Sequence, residues 1–452
     1  MYYSNRSACY LYFQPPRNDL VIKDCDSALQ LDKTYVKPLA RRANAHEAVG
    51  NLQEALDDFT AAVILDRFQT QSNNAALDRV LKALATKTAS DTIKNRTPRL
   101  PSSTFITAFF ASFRPQKRPA LPAAPTAGDL TFQEALDALE AFDYVKTFSL
   151  VGDALDNAAA AISDNKARAY ALNLRGTFQF LMGDAKSAKV SFEASIAAAP
   201  KYANSYVKLA SVYMDFGDAE NTFQTYENAI KADPDDPDVY YQRGQVFFIM
   251  GDFAKASADY QKSIDLDAAF VFSHIQLAVA QYKMGTISKS MATFRATMRT
   301  FPNMSEPLNY YGELLLDQSK FEEAVKKFED AIALEAVKPA HAANVLPLVN
   351  KGLALFQWKN DINEAEKYCQ LALDRDPECE AAIATLAQLL LQHSRLREAC
   401  EMFRRHVAIG RSEMEIQATL NYLLATEAQL RFIEVYPEKA DMLSDMARSM
   451  QQ

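Results

Sequence analysis

Small and aromatic residues recur through the middle of the chain at a fixed interval. Glycines stand at Gly183, Gly217, Gly251 and Gly285, each 34 residues after the last, and Ser319 takes the next step. Nine residues after each comes an aromatic ring: Phe192, Tyr226, Tyr260, Phe294 and Phe328. Four residues before each ring stands a small side chain: Ala188, Thr222, Ala256, Ser290 and Ala324. Prolines close the units at Pro200, Pro234 and Pro302. Within one unit, Tyr240 and Phe247 are seven apart and share a helical face. Gly244 between them leaves room for a second helix, and Gly251 supplies the left-handed residue that ends the first. Ala256 and Tyr260, four apart on the second helix, pack back onto the first. Asp233-Pro234-Asp235-Asp236-Pro237 then stops one pair and starts the next. Five consecutive units in register predict an all-α solenoid of helix pairs rather than an irregular bundle.

A helix–turn–helix period of 34 is that of the tetratricopeptide repeat (TPR), and the ladder from Lys166 to Ala336 resembles that family. Two further units precede it. Asn5 to Asp32 carries Tyr10, Val21, Cys25 and Ala28 at repeat-like positions, and Tyr35 to Arg67 has Ala43, Gly50, Ala55, Phe59 and Ala62 in place. Gln69 to Thr97 can be helical, and Leu130 to Asp164 reads as helical but irregular. After Ala336 a longer unit runs to Pro377, with Gly352, Ala365 and Ala372, and another spans Glu378 to Arg411, with Ala387, Ala399 and Phe403. Ser412 to Gln452 should form one or two terminal helices covering the last groove. The chain thus divides into an N-terminal TPR domain (1–90), a Pro-rich basic linker (91–128) and a C-terminal TPR array with capping helices (129–452). Solenoid ends are normally capped, and the first unit starts almost at Met1, so residues upstream of it are expected.

Proline at positions 98, 101, 115, 119, 122 and 125 forbids long helices in the linker. Between Asp91 and Arg118 stand six basic residues and one acidic one. That run reads either as a solvated linker or as an anion-binding segment. The apolar Phe105, Ile106, Phe109, Phe110 and Phe113 within it should dock onto a neighbouring domain surface.

Composition narrows the function. A net charge of −8 argues against general nucleic-acid binding. The five cysteines (9, 25, 369, 379 and 400) form no CxxC pair, which fits reduced, buried thiols. No stretch reaches the roughly 20 apolar residues of a membrane span. Phosphate-binding glycine loops and HExxH are absent from the sequence, and the histidines at 46, 274, 341, 393 and 406 are scattered. No cofactor, metal site or catalytic set is expected; the chain reads as a binding protein.

The sharpest polar signal joins Asn5, Lys37 and Arg41. Lys37 and Arg41 are four apart on the first helix of their unit, the one that lines the concave side of a TPR solenoid, and so share a face. Asn5 takes the place of Arg41 one unit earlier. Two cations and an amide there would hold a carboxylate through charge-assisted hydrogen bonds; the plainer reading is a solvated Lys/Arg pair. Arg42 points elsewhere and reads as structural. The three residues match positions of the carboxylate clamp of TPR co-chaperones, and that resemblance implies binding of the C-terminal Glu-Glu-Val-Asp tail of cytosolic heat-shock chaperones. The family clamp also takes a Lys and an Asn from a preceding repeat.

Over nearly its whole length the chain resembles the TPR receptor subunit of the translocase of the outer mitochondrial membrane, in its fungal form. The resemblance is carried by Tyr3-Ser4-Asn5-Arg6-Ser7-Ala8-Cys9-Tyr10, by Leu39-Ala40-Arg41-Arg42-Ala43, and by Leu100-Pro101-Ser102-Ser103-Thr104 leading to Phe109-Phe110. Tyr240-Tyr241-Gln242-Arg243-Gly244-Gln245 and Ala428-Gln429-Leu430 add to it. It implies a preprotein receptor on the cytosolic face of the outer membrane that works with other translocase subunits. The clamp would dock the chaperone and the second domain would take internal targeting segments of mitochondrial precursors. The family's N-terminal anchor and first TPR unit are expected upstream of Met1.

Mapped onto the ladder, inner-helix positions facing the groove include Lys208, Ser211, Tyr241, Gln245, Phe248, Gln276, Val279 and Tyr282. Mixed apolar and amide groups suit an amphipathic helix laid in a groove. The same positions also read as core between adjacent repeats. A soluble TPR co-chaperone or adaptor, and a TPR scaffold of a larger complex, are the competing functions.

Overall fold

The computed structural model describes residues 1–156 and 161–442. Among the described residues every regular element is helical. The chain opens with α1 (Tyr2–Tyr10), α2 (Asn18–Leu31), α3 (Val36–Ala48), α4 (Leu52–Leu65) and a long α5 (Gln71–Asn95). There follow α6 (Ser103–Ala111), α7 (Ala127–Glu140), α8 (Tyr144–Asp156), α9 (Asn165–Leu181), α10 (Ala185–Ala198), α11 (Ala203–Asp215), α12 (Ala219–Ala232), α13 (Pro237–Ile249) and α14 (Phe253–Leu266). Then come α15 (Val271–Lys283), α16 (Ile287–Thr300), α17 (Glu306–Asp317), α18 (Phe321–Glu335), α19 (Leu346–Lys359), α20 (Ile362–Arg375), α21 (Glu380–Gln392), α22 (Leu396–Ile409) and α23 (Glu413–Val435).

The helices form two compact units, residues 98–382 and residues 1–97 with 383–442. In the larger unit the periodic positions do the work expected of them. The ring positions Phe192, Tyr226, Tyr260, Phe294 and Phe328 are all fully buried. A Cβ built on Gly244 would lie 2.7 Å from Cε1 of Tyr260, so only a hydrogen at that position lets α14 close onto α13. Gly251 ends α13 at φ +80°, a left-handed conformation that glycine adopts without steric penalty. The same conformation recurs at Ser319 (φ 58°) one step on from Gly285, and at Phe142, Asn360 and Ser394, where no glycine marks it. The step is 34 residues within the ladder and 41 on either side of it, from Phe142 to Gly183 and from Ser319 to Asn360.

Leu130 to Asp164, read from sequence as irregular, holds the regular pair α7 and α8. Its turn was hidden because Phe142 stands where a glycine is usual. Residues 157–160 within that stretch lie outside the described residues.

The basic stretch is partly exposed, at Lys94 and Lys117, and partly answered within the fold. Arg99 pairs with Glu378, Arg114 with Asp238 and Asp267, and Arg118 with Asp137 and Glu140, all within the larger unit. The apolar side chains between them dock as expected: Ile106 is buried with Tyr144, Phe178 and Leu181, and Phe113 with Val207, Tyr226 and Val239. The boundary of the larger unit therefore falls at residue 98 rather than at 128.

The C-terminal helices also pack differently from the 129–452 grouping. α23 lies against α22, α5 and α4 in the smaller unit. Phe432 and Tyr436 share a core with Leu29, Leu39 and Ala62, Arg431 pairs with Asp57, and the Tyr436 hydroxyl donates to the Lys33 carbonyl at 2.9 Å. Apolar residues on α4 with no third repeat beyond them are covered from the far end of the sequence. Residues 443–452 lie outside the described residues.

Candidate functional site

In the smaller unit α1 is short because Pro15 and Pro16 interrupt the turn that follows it, and it leans on α2 and α3. Asn5 on α1 and Lys37 at the start of α3 are both exposed, and Arg41 one turn further along α3 is half-buried. The three share no hydrogen bond with one another among the described residues. What ties α3 to α1 is Arg41, whose Nη1 donates to the Ser4 carbonyl, to Ser4 Oγ at 3.2 Å and to Ser7 Oγ at 3.0 Å. Ser4 and Ser7 are buried, and sequence reasoning passed over them because serine carries no charge signal. Among the described residues, Nε and Nη2 of Arg41 make no hydrogen bond, and Lys37 makes neither hydrogen bond nor ion pair.

Arg42 contrasts with its neighbour. Its Nε and Nη2 grip both oxygens of Asp58 at 2.7 Å and its Nη1 reaches Asp26 at 2.5 Å, so its charge is answered inside the fold. Arg6 is likewise held by Asp24 in a two-pronged pair. The structural reading of Arg42 holds.

In the larger unit the first helix of each pair (α9, α11, α13, α15, α17) supplies the inner wall. Of the eight groove positions, Lys208, Tyr241 and Gln276 are buried and Ser211, Gln245, Phe248, Val279 and Tyr282 are half-buried. Several make core contacts between repeats. Tyr241 packs with Tyr260 and Phe270, and Gln245 accepts from the Tyr260 hydroxyl at 2.5 Å. Phe248 joins that cluster, and Val279 packs into the next one. Tyr282 donates to Asp317 at 2.5 Å, and this bond to a carboxylate raises its pKa.

Lys208 lies deepest. Its ammonium donates to Asn173 Oδ1 at 2.9 Å and to Thr177 Oγ1 at 2.8 Å, while the rings of Phe110 and Phe113 face it at 5.7 and 5.2 Å. Burial pushes its pKa down to about 7, and the Asp238 carboxylate offsets this only in part. Asn173 in turn donates to Ser205 Oγ at 2.9 Å, fixing its carbonyl toward the lysine.

Phe110 and Phe113 belong to the segment running from α6 to Gln116, which crosses this inner wall. Gln242 on α13 donates to the Ser112 carbonyl at 3.0 Å. Arg114, with 12% of its side chain exposed, reaches Asp238 Oδ1 and Asp267 Oδ2 at 2.6 Å each and lies 4.3 Å from the centre of the Phe270 ring. Its hydrogen bond holds Asp267 below its ordinary pKa, whereas burial outweighs the same guanidinium at Asp238 and raises it. A cavity of about 650 Å³ remains beside the segment, between Phe110, Phe113 and Arg114 on one side and Tyr202, Lys208 and Phe270 on the other. Of the groove positions read from sequence, Lys208 lines this cavity. Arg114 was legible only as part of a basic run; the acids that meet it, buried Asp238 and part-exposed Asp267, lie more than a hundred residues away.

Helix pairs with a left-handed turn, small-to-aromatic packing and a concave wall of first helices define a TPR-type binding protein. Models of the TPR repeat and of the tetratricopeptide repeat match residues 210–251 and 237–270. The chain is 31% identical to the human mitochondrial import receptor subunit TOM70 over 464 aligned residues, covering 98% of this chain and 75% of the relative. It is 28% identical to the Saccharomyces cerevisiae protein of the same name, over 95% of this chain and 75% of that one. A crystal structure of yeast Tom70 superposes with a TM-score of 0.64 at 28% identity, covering 98% of this chain and 91% of that one. The chain belongs to the TOM70 family of mitochondrial import receptor subunits.

Proposed function

We propose that this chain is a mitochondrial import receptor that binds its partners without catalysis: a chaperone's C-terminal tail on the smaller unit and a precursor protein on the inner wall of the larger. Family membership supports the receptor role. The observation that carries the tail site is the contrast on α3. Lys37 and two nitrogens of Arg41 have no partner among the described residues, while Arg42 beside them is answered by two aspartates. A main-chain carboxylate with an acidic side chain next to it, as in Glu-Glu-Val-Asp, offers the planar acceptors a guanidinium binds best. Asn5 on α1 would add an amide donor to the same ligand. The precursor site rests on the mixed apolar and amide wall and its cavity.

The localisation this reading implies is the cytosolic face of the outer mitochondrial membrane, beside other translocase subunits. Among the described residues no helix is long and apolar enough to cross a membrane. Titration with a peptide ending Glu-Glu-Val-Asp, beside the same peptide amidated at its C-terminus, tests the tail site. Binding lost on amidation supports the carboxylate clamp. Equal binding of both, or of neither, removes the tail site and leaves the inner wall of the larger unit as the receptor's binding surface.

A further inference from the structure

The inner wall of the larger unit already holds an amphipathic segment, and it is part of this chain. From Phe105 to Arg114 the apolar side chains fall at 105, 106, 109, 110 and 113, the spacing of one helical face, and a cation follows at once. Ile106 and Phe113 are nearly fully buried against the first helices of the repeats. The main-chain carbonyl of Ser112 is taken by Gln242, and the guanidinium of Arg114 is taken by Asp238 and Asp267. The Arg114 main-chain N–H also donates to Asp238 at 2.9 Å, so the segment is held as a solenoid groove grips a separate helical ligand, by apolar anchors at helical spacing, main-chain contacts and an ion pair fixing direction. The cavity of about 650 Å³ lies between the segment and the wall, so the wall is not filled completely by its in-chain occupant.

We propose that residues 103–116 are a releasable in-chain occupant of this wall. The wall's external ligands are then amphipathic segments of the same pattern, with apolar side chains three or four apart and a basic residue at the C-terminal end. Arg114 is the latch. Its Asp267 half is part-exposed, with 36% of that carboxylate side chain accessible, while the Asp238 half is buried. The inference rests on the precursor reading above and names both the ligand class and the regulation of that site. A tethered occupant competes at an effective concentration in the millimolar range, so an external segment binds weakly until the latch opens.

The test uses the full chain and a fluorescent peptide with the sequence of residues 103–116. Arg114→Ala is expected to bind this peptide at least tenfold more tightly than the unaltered chain, with faster amide hydrogen exchange over 103–113. Asp267→Asn, which leaves the buried ion pair intact, should shift both readouts in the same direction by less. A precursor peptide of the stated pattern should displace the fluorescent one and raise exchange over 103–113 in the unaltered chain. If precursor peptides bind but leave that exchange unchanged or slower, and Arg114→Ala binds no more tightly, the segment is fixed wall and the inference falls while the precursor site stands. If the fluorescent peptide binds Arg114→Ala but no precursor peptide displaces it, the occupant stands and the precursor reading falls. Binding of neither peptide to any variant removes both.

Discussion

Arg41 and Arg42 are neighbours on one helix with opposite surroundings. Arg42 is clamped by Asp58 and Asp26, whereas Arg41 touches only neutral serine groups of α1 and keeps Nε and Nη2 without a partner among the described residues. Charge reversal should separate them. Arg41→Glu is expected to weaken binding of a Glu-Glu-Val-Asp peptide at least tenfold, and to lower Tm as well because the hydrogen bonds to buried Ser4 and Ser7 are lost. Arg42→Ala should instead leave the nearly buried Asp58 uncompensated and lower stability by about 1–3 kcal/mol. Calorimetry of peptide binding and thermal melts on both variants checks the pair; equal losses of binding would mean the two residues act through the fold alone.

Gly244→Ala tests the close approach of paired helices. The added methyl would sit 2.7 Å from the Tyr260 ring, which is fully buried and has no room to retreat. A loss of about 1–3 kcal/mol is expected from such overpacking, read as a shift in the denaturation midpoint. An unchanged midpoint would mean that the helices part more easily than this packing implies.

Ser319→Gly should act in the other direction. Ser319 holds the left-handed turn between α17 and α18 at φ 58°. Relief of that conformation, less the extra chain entropy of glycine, should raise stability by about 0.5–1 kcal/mol. A lower Tm would show that the serine side chain contributes something its backbone angle does not reveal.

Lys208 makes the larger unit sensitive to pH in a defined window. Its pKa falls from 10.5 when exposed to about 7 when buried. Between those values the unfolded chain binds more protons than the folded one. The contribution of Lys208 to stability therefore rises with pH across the window, and its penalty is complete below about pH 7. Lys208→Met keeps most of the volume and removes the charge. The variant's stability should change less with pH between 7 and 10 than that of the unaltered chain, whatever its absolute value. Parallel curves would sink this account of Lys208.

Much of the fold was legible because its signals are local and periodic. The ladder of Gly183 to Ser319 and its rings could be read from spacing alone, since each repeat packs on the next. Phe142, Asn360 and Ser394 hid their turns because a left-handed residue is recognisable only when it is glycine. Nor could spacing show that α23 returns to α4 and α5, a contact more than 300 residues long in sequence that no period encodes. At the candidate sites, Lys37 and Arg41 were visible as a charged pair four residues apart. Ser4, Ser7 and Asn173, which orient the cations, carry no distinguishing pattern. Lys208 could be read as an inner-helix position, but not as a buried one, because the Phe110 and Phe113 rings that face it are remote in sequence.

A stack of helix pairs touching only its neighbours unravels from its ends, one pair at a time. The larger unit has ties that such a stack lacks. Arg114 joins α6 to acids at the start of α13 and the end of α14, and Phe142 and His341 bring their rings within 4.3 Å across nearly two hundred residues of chain. The second tie brackets the 34-residue ladder, the first reaches into its middle, and both close long loops that must form before they stabilise anything. The repeats of this unit should therefore melt together, and slowly, as one cooperative block, with Arg114 setting how far that cooperativity reaches.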